Sequence, residues 1–455
     1  MVLKRQSSNW LFVLFFPSLA FAAETPFGDL IERDPGTTEN LVNAADTNQQ
    51  IFDELNCDGN RVCSDDEQAL YDDIEKLVDT AFGGESNLNT GTDGLRASLY
   101  WFNMEEAAAH GKVSESLSRA QIGSVKARLD TLLGVNTVGM LAHAGTLGGA
   151  AGDELTRNWG LFINGDFQTI EKDQTEFTDA QDGDASQVSA GFDFRLSPAW
   201  VVGLAYGVSS ASTDLEREDQ DADSEFEPNV AEGKTDADAS TITLYTGYDS
   251  EHFFLSAFAS RTESDFEFRR LIAYQSNNSN VDGANDIAYG ETTSEQTVLG
   301  LTGGLLFRQG AWSETLTLGF QSSTLDIDGY EETGDTPLTY AVDAQSIDSN
   351  VLHGGLKLSR ALPWSSGVAV PYVAADFYKE LEDEQYLITA NYSAFEGDNQ
   401  IQVLTDKTDT SYAFARIGLS AVFRSGIQGF VQFSSLAGLA DTNANIISTG
   451  IRLEL

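Results

Sequence analysis

Asn443-Ala444-Asn445-Ile446-Ile447-Ser448-Thr449-Gly450-Ile451-Arg452-Leu453-Glu454-Leu455 ends the chain, and its reading decides the fold. Asn443 makes the turn, and from Ile446 the side chains alternate. Ile447, Thr449, Ile451, Leu453 and Leu455 share one face; Ile446, Ser448, Gly450, Arg452 and Glu454 share the other. A strand has a period of two, so one face here is apolar and the other mostly polar or small. A soluble sandwich and a membrane-spanning barrel can both end on such a strand, and this segment alone leaves both open.

The same period starts at Trp159. Trp159, Leu161, Ile163 and Phe167 alternate with Gly160, Phe162, Asn164 and Asp166. Val188, Ala190, Phe192, Phe194 and Leu196 alternate with Ser189, Gly191, Asp193 and Arg195. Three further segments, 200–208, 299–308 and 414–423, repeat the pattern, and 239–249, 252–264, 312–325, 348–361, 367–380 and 427–438 are candidates. In 252–264 Phe stands on both faces, so its register is ambiguous. With the closing strand the total is about twelve, an even number, as in single-chain bacterial barrels.

The connections decide between sandwich and barrel. Ser197-Pro198, Asp249-Ser250-Glu251, Gln309-Gly310, Leu362 to Gly367 and Arg424-Ser425-Gly426 are short. Between them lie 169–186, 210–238, 265–293, 326–347 and 381–409, all long and polar. Short turns at one end and long loops at the other are the pattern of an outer-membrane barrel. A soluble sandwich has no reason to gather every long loop at one end. Trp159, Trp200, Tyr206, Tyr248, Trp312 and Tyr372 are expected in interfacial girdles. The inner face is largely small, with Gly191, Gly203, Ala205, Gly207, Gly300, Gly304 and Gly418, which leaves a lumen about as wide as a helix of ~10–12 Å.

The N-terminus reads as a secretory signal over 1–22. Lys4 and Arg5 supply the charge, Trp10 to Phe16 the apolar core, and Ala20-Phe21-Ala22 the cleavage site. No later apolar run is long enough for a transmembrane helix, so a membrane role requires strands. The chain carries 26 basic and 71 acidic residues, a net charge of −45. That excess argues against nucleic acid and against docking on anionic lipid through a basic patch. It suits a solvent-facing surface, for which solubility is reason enough.

Residues 23–94 read as a small acidic helical module, with 23 to about 46 unplaced and helices over 47–55 and 65–82. Ser64 or Asp65 caps the second helix. Cys57 and Cys63, the only cysteines of an exported chain, are expected to form a disulfide closing a small loop. The loop between the helices faintly resembles an EF-type calcium loop, with Asn56, Asp58 and Asp65 as candidate ligands. Glu54 replaces the usual first Asp and Arg61 stands where an apolar residue belongs, so the disulfide-clipped hairpin is the preferred reading and no metal is expected. Residues 95–158 read as helix and linker entering the barrel. Within them Ser114–Leu133 is helical, mixes small residues with Leu117, Ile122, Val125, Leu129 and Leu132, and carries Arg119, Lys126 and Arg128. Twenty helical residues span ~30 Å, the height of a membrane barrel.

A signal peptide, an exported N-terminal part, a barrel-length helix and about twelve strands together resemble the translocator domain of autotransporters, the type V secretion family. The resemblance covers roughly 110–455, most specifically Ser114–Leu133, Pro371-Tyr372 and Thr449–Leu455. Thr449, Gly450, Leu453 and Leu455 fit that class's C-terminal assembly signal, without its usual terminal Phe. The resemblance implies a mainly β fold, an antiparallel transmembrane β-barrel over 159–455 with a helix in the pore. It also implies insertion into outer-membrane lipid by the barrel-assembly machinery. Residues 23–113 are too few and too helical for the long β-helix such barrels usually export. Gly-Asp-Ser, Gly-x-Ser-x-Gly and His-Glu-x-x-His are absent, and neither an enzyme nor a cofactor is expected. The reading is a barrel that anchors, and is able to export, a short surface module. The alternatives are a porin-like channel, or a surface adhesin or cation-binding protein acting through its acidic external loops.

Overall fold

The computed structural model describes residues 23–35, 37–57, 61–104, 158–216, 233–382, 385–407, 410–439 and 441–455. The strands are β1 (Trp159–Lys172), β2 (Ala180–Ser197), β3 (Trp200–Glu216), β4 (Gly233–Asp249), β5 (Phe253–Tyr274) and β6 (Ala284–Gln309). Then come β7 (Trp312–Ile327), β8 (Tyr330–Glu331), β9 (Tyr340–Val342), β10 (Gln345–Arg360), β11 (Leu362–Trp364) and β12 (Gly367–Glu380). The last are β13 (Leu387–Tyr392), β14 (Ile401–Leu404), β15 (Ser411–Phe423), β16 (Ile427–Ala437) and β17 (Thr442–Glu454).

Twelve of these form a closed antiparallel wall, with β1 paired to β17 and β10 paired to β12. The three-residue β11 extends the β10–β12 hairpin at the short-turn end. β8, β9, β13 and β14 form a separate four-stranded sheet from the two loops β7–β10 and β12–β15. All twelve expected strands are present. The expected long loops are corrected: β5 and β6 run on to Tyr274 and from Ala284, well inside the stretch read as loop 265–293.

The outer rows show why. On β1 the outward positions Trp159, Leu161, Ile163 and Phe167 are exposed apolar side chains. At about 3.4 Å per residue and a tilt of ~40° this row covers about 21 Å of height, close to the apolar band of an outer-membrane barrel. Beyond the band the outward row of β5 turns to Arg261, Glu263, Asp265 and Glu267, all exposed. Once a strand leaves lipid its outer face is free to be charged, so the alternation continues with polar residues outside and Phe266 and Phe268 buried inside.

The small inner-face residues are not simply empty space. A Cβ on Gly203 would lie 2.2 Å from the Tyr245 ring, one on Gly300 2.1 Å from Phe258, and one on Gly304 2.1 Å from Phe254. Aromatic rings from neighbouring strands lie over these glycines, which also resolves the ambiguous register of β5: Phe254 and Phe258 point inward. Tyr372 departs from expectation in the same way. It is buried in the lumen, donates to Gln432 Oε1 at 2.9 Å and lies over Gly418. Trp159, Trp200, Tyr248 and Trp312 do gather at the short-turn end, where Trp200 and Tyr248 sit edge to face at 5.9 Å. Buried pairs cross the lumen wall: Arg452 with Asp193 at 3.1 Å, and Arg416 with Asp376 at 2.5 Å.

Four helices precede the barrel: α1 (Pro26–Glu32), α2 (Glu39–Leu55), α3 (Asp65–Phe82) and α4 (Gly91–Tyr100). Thr25 and Thr38 cap the first two, and Ser64 and Glu67 form a reciprocal capping box on the third. Glycine is required at position 28, where a Cβ would meet Asp46 Oδ1 at 2.1 Å. The segment before residue 47 is therefore helical. Its period is hidden because the buried face of α2 carries Asn40, Asn43, Asp46, Thr47 and Asn48 beside Leu41, Ala44 and Ala45. The helix expected from Leu95 begins earlier, at Gly91, and α4 ends at Tyr100.

Cys57 and Cys63 form a disulfide, with Cα atoms 5.7 Å apart. Alkylating reagents are expected to label neither cysteine in the unreduced mature protein and both after reduction. Labelling of both without reductant would contradict the bond.

Candidate functional site

The helices do not stand apart from the barrel. One continuous apolar core joins them to the external loops. Phe27, Ile51, Leu70, Leu77 and Phe102 are buried with Ile272 and Tyr274 of β5, Tyr340 and Val342 of β9, Ile388 and Tyr392 of β13, and Val403 of β14. The four-stranded sheet is the platform, and α2 lies along its β14 edge.

An open strand edge presents unpaired backbone groups that need partners when buried. Asn40 supplies them at Leu404. Its Nδ2 donates to the Leu404 carbonyl at 3.0 Å, and its Oδ1 accepts from the Leu404 N–H at 2.8 Å. Two turns along the helix, Tyr392 OH donates to Asn48 Oδ1 at 2.9 Å, while Asn48 Nδ2 donates to the Ala44 carbonyl at 2.8 Å. The polar face of α2 is thus read by the sheet as hydrogen-bonding groups.

Arg270, on the aqueous extension of β5, ties the parts together. Its Nε and Nη2 donate to Glu332 at 2.9 and 2.7 Å, its Nη2 also to the Leu338 carbonyl at 2.7 Å, and its Nη1 to the Trp101 carbonyl at 3.5 Å. Its guanidinium lies 4.6 Å from the Tyr340 ring centre, and Tyr340 stacks on Tyr392 at 4.8 Å. Glu332 Oε2 in turn accepts from the Tyr340 N–H at 3.0 Å. Both charged side chains are almost wholly buried, at 4% and 3% exposure. A planar, bidentate guanidinium suits this arrangement better than an ammonium would.

Smaller ties surround this centre. Tyr274 OH donates to Asp73 of α3 at 3.1 Å, Asn277 N to the Leu88 carbonyl at 2.8 Å, and Asn278 Nδ2 to the Asn87 carbonyl at 2.8 Å. Tyr100 OH donates to Asp179 in the β1–β2 loop.

Burial sets the alkaline limit of this interface. Burial raises the Tyr340 phenol to about 12 from its ordinary 10.0, and raises Tyr392 well above 10.0, with its neighbour Tyr340 adding to the effect. A phenol whose pKa is raised by folding stabilises the folded form fully below its unfolded value, and the benefit is lost as pH climbs through the folded value. Docking is therefore expected to hold up to pH 10 and to fail as the pH approaches 12. Tyrosine difference absorbance, followed alongside protease release of the module, checks this. Release well below pH 10 would contradict it.

The expected assembly residues lie on β17. Thr449 Oγ1 donates to the Phe430 carbonyl at 3.0 Å, and Gly450 faces inward, where a Cβ would meet Asn164 Oδ1 at 2.2 Å. Leu453 and Leu455 face lipid at the short-turn end, and the Leu455 N–H donates to the Trp159 carbonyl at 2.9 Å. Asn56 ends α2 in the left-handed conformation and Asp65 opens α3; Asp58 lies outside the described residues. Among the described residues no cluster of three or more His, Cys, Asp or Glu is placed to hold a metal ion. The pore segment Ser114–Leu133, with Arg119, Lys126 and Arg128, and the signal over 1–22 also lie outside the described residues.

The family model for the autotransporter beta-domain matches residues 161–434, more than half of the chain. The chain belongs to the autotransporter β-domain family. Its barrel is accordingly an outer-membrane barrel, with the short turns toward the periplasm and the loop sheet outside. Among solved structures, the translocator domain of the autotransporter NalP from Neisseria meningitidis aligns with a TM-score of 0.52 and 15% identity, over 76% of this chain and 99% of that one. The β domain of the Bordetella autotransporter BrkA aligns at 0.45 and 13%, over 66% and 100%. At these identities the NalP domain speaks for the fold alone, and the BrkA alignment carries no argument. No curated protein matches the chain.

Asn40, Asn48, Arg270 and Glu332 were not singled out by the sequence reading. The available signal was the apolar clusters inside stretches read as polar loop: Leu271–Tyr274, Leu338–Val342, Leu387–Tyr392 and Ile401–Leu404. Four such clusters in loops of a barrel imply a second core outside the membrane.

Proposed function

We propose that this autotransporter barrel carries its own N-terminal module to the cell surface, keeps it docked on the external loops, and performs no enzymatic chemistry. The observation that supports this is the position of two points of the chain. Met104 is buried in the external core with Ile272 and Tyr274. Asn158, whose carbonyl accepts from the Arg195 N–H at 2.9 Å, lies at the short-turn end. The connection between them has to run the height of the wall. Lipid offers no partner for irregular backbone, so the lumen is the route. By its sequence Ser114–Leu133 is the segment expected to cross the lumen, with Arg119, Lys126 and Arg128 as the charges available to its acids, and the barrel-assembly machinery is the expected partner in insertion.

Conductance in planar bilayers tests the route. The intact protein is expected to give small or flickering currents, and a version lacking residues 23–133 a large stable pore. Equal conductance would mean that the connection does not occupy the lumen.

A further inference from the structure

A cavity of about 630 Å³ opens at the external mouth beside the docked module. Its size is that of an ordinary small-molecule site. Its inner wall is unusual for a barrel mouth. Ile170 of β1, Ala211 of β3, Phe414 of β15, Leu436 of β16 and Ala444 and Ile446 of β17 all line it. Deeper in the lumen the same inward rows are polar, with Asn164 and Asp166 on β1, Gln432 and Ser434 on β16, and Ser448 on β17. The wall changes from polar to apolar where the water-filled mouth would favour the reverse.

The rim has the opposite character. Glu39 at the start of α2, Glu176 and Asp441 border the cavity, are exposed, and form no ion pair among the described residues. Asp406 is already satisfied: it takes Lys172 at 2.9 Å and the Thr175 and Thr178 hydroxyls at 2.6 and 2.7 Å. Lys407 is the other cation of the lining, and with Asp184 turned outward on β2 the carboxylates Glu39, Glu176, Glu380, Asp406 and Asp441 still outnumber the two ammonium groups.

We propose that this vestibule binds small organic cations that carry an apolar body, the body resting on the β1–β3 and β15–β17 wall and the ammonium group at the acidic rim. An anionic amphiphile of the same shape meets the same wall and the wrong rim. The Phe414 and Tyr412 rings among the lining add faces to which a cation is attracted. The site uses Glu39 of the module, so it is complete only when the module is docked.

The test is calorimetric titration of the full-length protein in an uncharged detergent with 4-phenylbutylamine, 4-phenylbutanol and 5-phenylvalerate, which share one phenylbutyl body. At low salt the amine is expected to bind about tenfold tighter than the carboxylate, with the alcohol between, and the gap should narrow as salt screens the exposed rim. Ala444→Trp, which fills the cavity at unchanged charge, should abolish binding of all three. The double variant Glu39→Gln with Asp441→Asn, confined to exposed positions, should weaken the amine several-fold and spare the alcohol. Heat-dependent gel mobility checks that each variant is folded. Equal affinity for the three compounds, amine binding that survives Ala444→Trp in folded protein, or an unchanged amine affinity in the rim variant would each overturn the proposal.

Discussion

Deleting Thr449–Leu455 is expected to abolish the folded barrel, leaving no heat-shifted band and no protein recovered in the outer membrane. β17 pairs with β1 from Lys172–Thr442 to Gly160–Glu454 and with β16 from Ser435–Asn445 to Ile427–Leu453. The deletion removes the lipid-facing Thr449, Ile451, Leu453 and Leu455 and leaves two strand edges open at membrane depth. Each backbone group left unpaired in hydrocarbon costs several kcal/mol, and about ten such groups exceed the whole stability of ~5–15 kcal/mol of an ordinary domain. Normal insertion of the truncated chain would show that β17 is not needed for closure. A Leu455→Phe substitution, by contrast, should be tolerated, because position 455 points out of the barrel.

Arg270→Met is expected to detach the module from an intact barrel. The substitution keeps most of the side-chain volume but strands the Glu332 carboxylate, 3% exposed, without its cation. Removing one partner of a buried ion pair costs about 3–5 kcal/mol, equivalent to a loss of docking equilibrium by a factor of about 10²–10⁴. Hydrogen exchange in α2 and protease cleavage near Arg96 should accelerate by that order, while the heat-dependent shift of the barrel stays unchanged. Combining it with Glu332→Leu should recover part of the loss, because two apolar groups no longer leave a charge unsatisfied. Unchanged protection of the module in Arg270→Met would mean the apolar core alone holds it.

The barrel was legible because lipid imposes a strict rule. Every outward residue from Trp159 to Phe167 or from Leu299 to Phe307 must be compatible with hydrocarbon, so period two is written in the composition. Outside lipid that rule lapses. Glu263, Asp265 and Glu267 occupy the same outward row of β5 as Phe253 and Leu255, and the strand became invisible where the solvent changed. The docking site was harder still. Asn40 and Asn48 look like surface residues of an acidic helix, and their partners, the Leu404 backbone and the Tyr392 hydroxyl, stand more than three hundred positions away, which no local pattern encodes. Arg270 and Glu332 gain meaning only when β5 and the β8–β9 hairpin are neighbours. The disulfide and the capping of α3 were readable because both are local.

The Asn40–Leu404 clasp joins residues 364 positions apart. The core beneath it takes one part from the N-terminal segment up to Met104 and the rest from the outer ends of β5 and β6 and the loops that follow β7 and β12. Contacts of such long sequence separation carry a loop-closure cost and form late. The module therefore cannot reach its final packing until the loops of β13 and β14 have emerged on the same side of the membrane as the helices. On the proposed surface location docking waits for the loop between β12 and β15, so a chain that stalls before that loop is outside is expected to present a loose, protease-sensitive N-terminus.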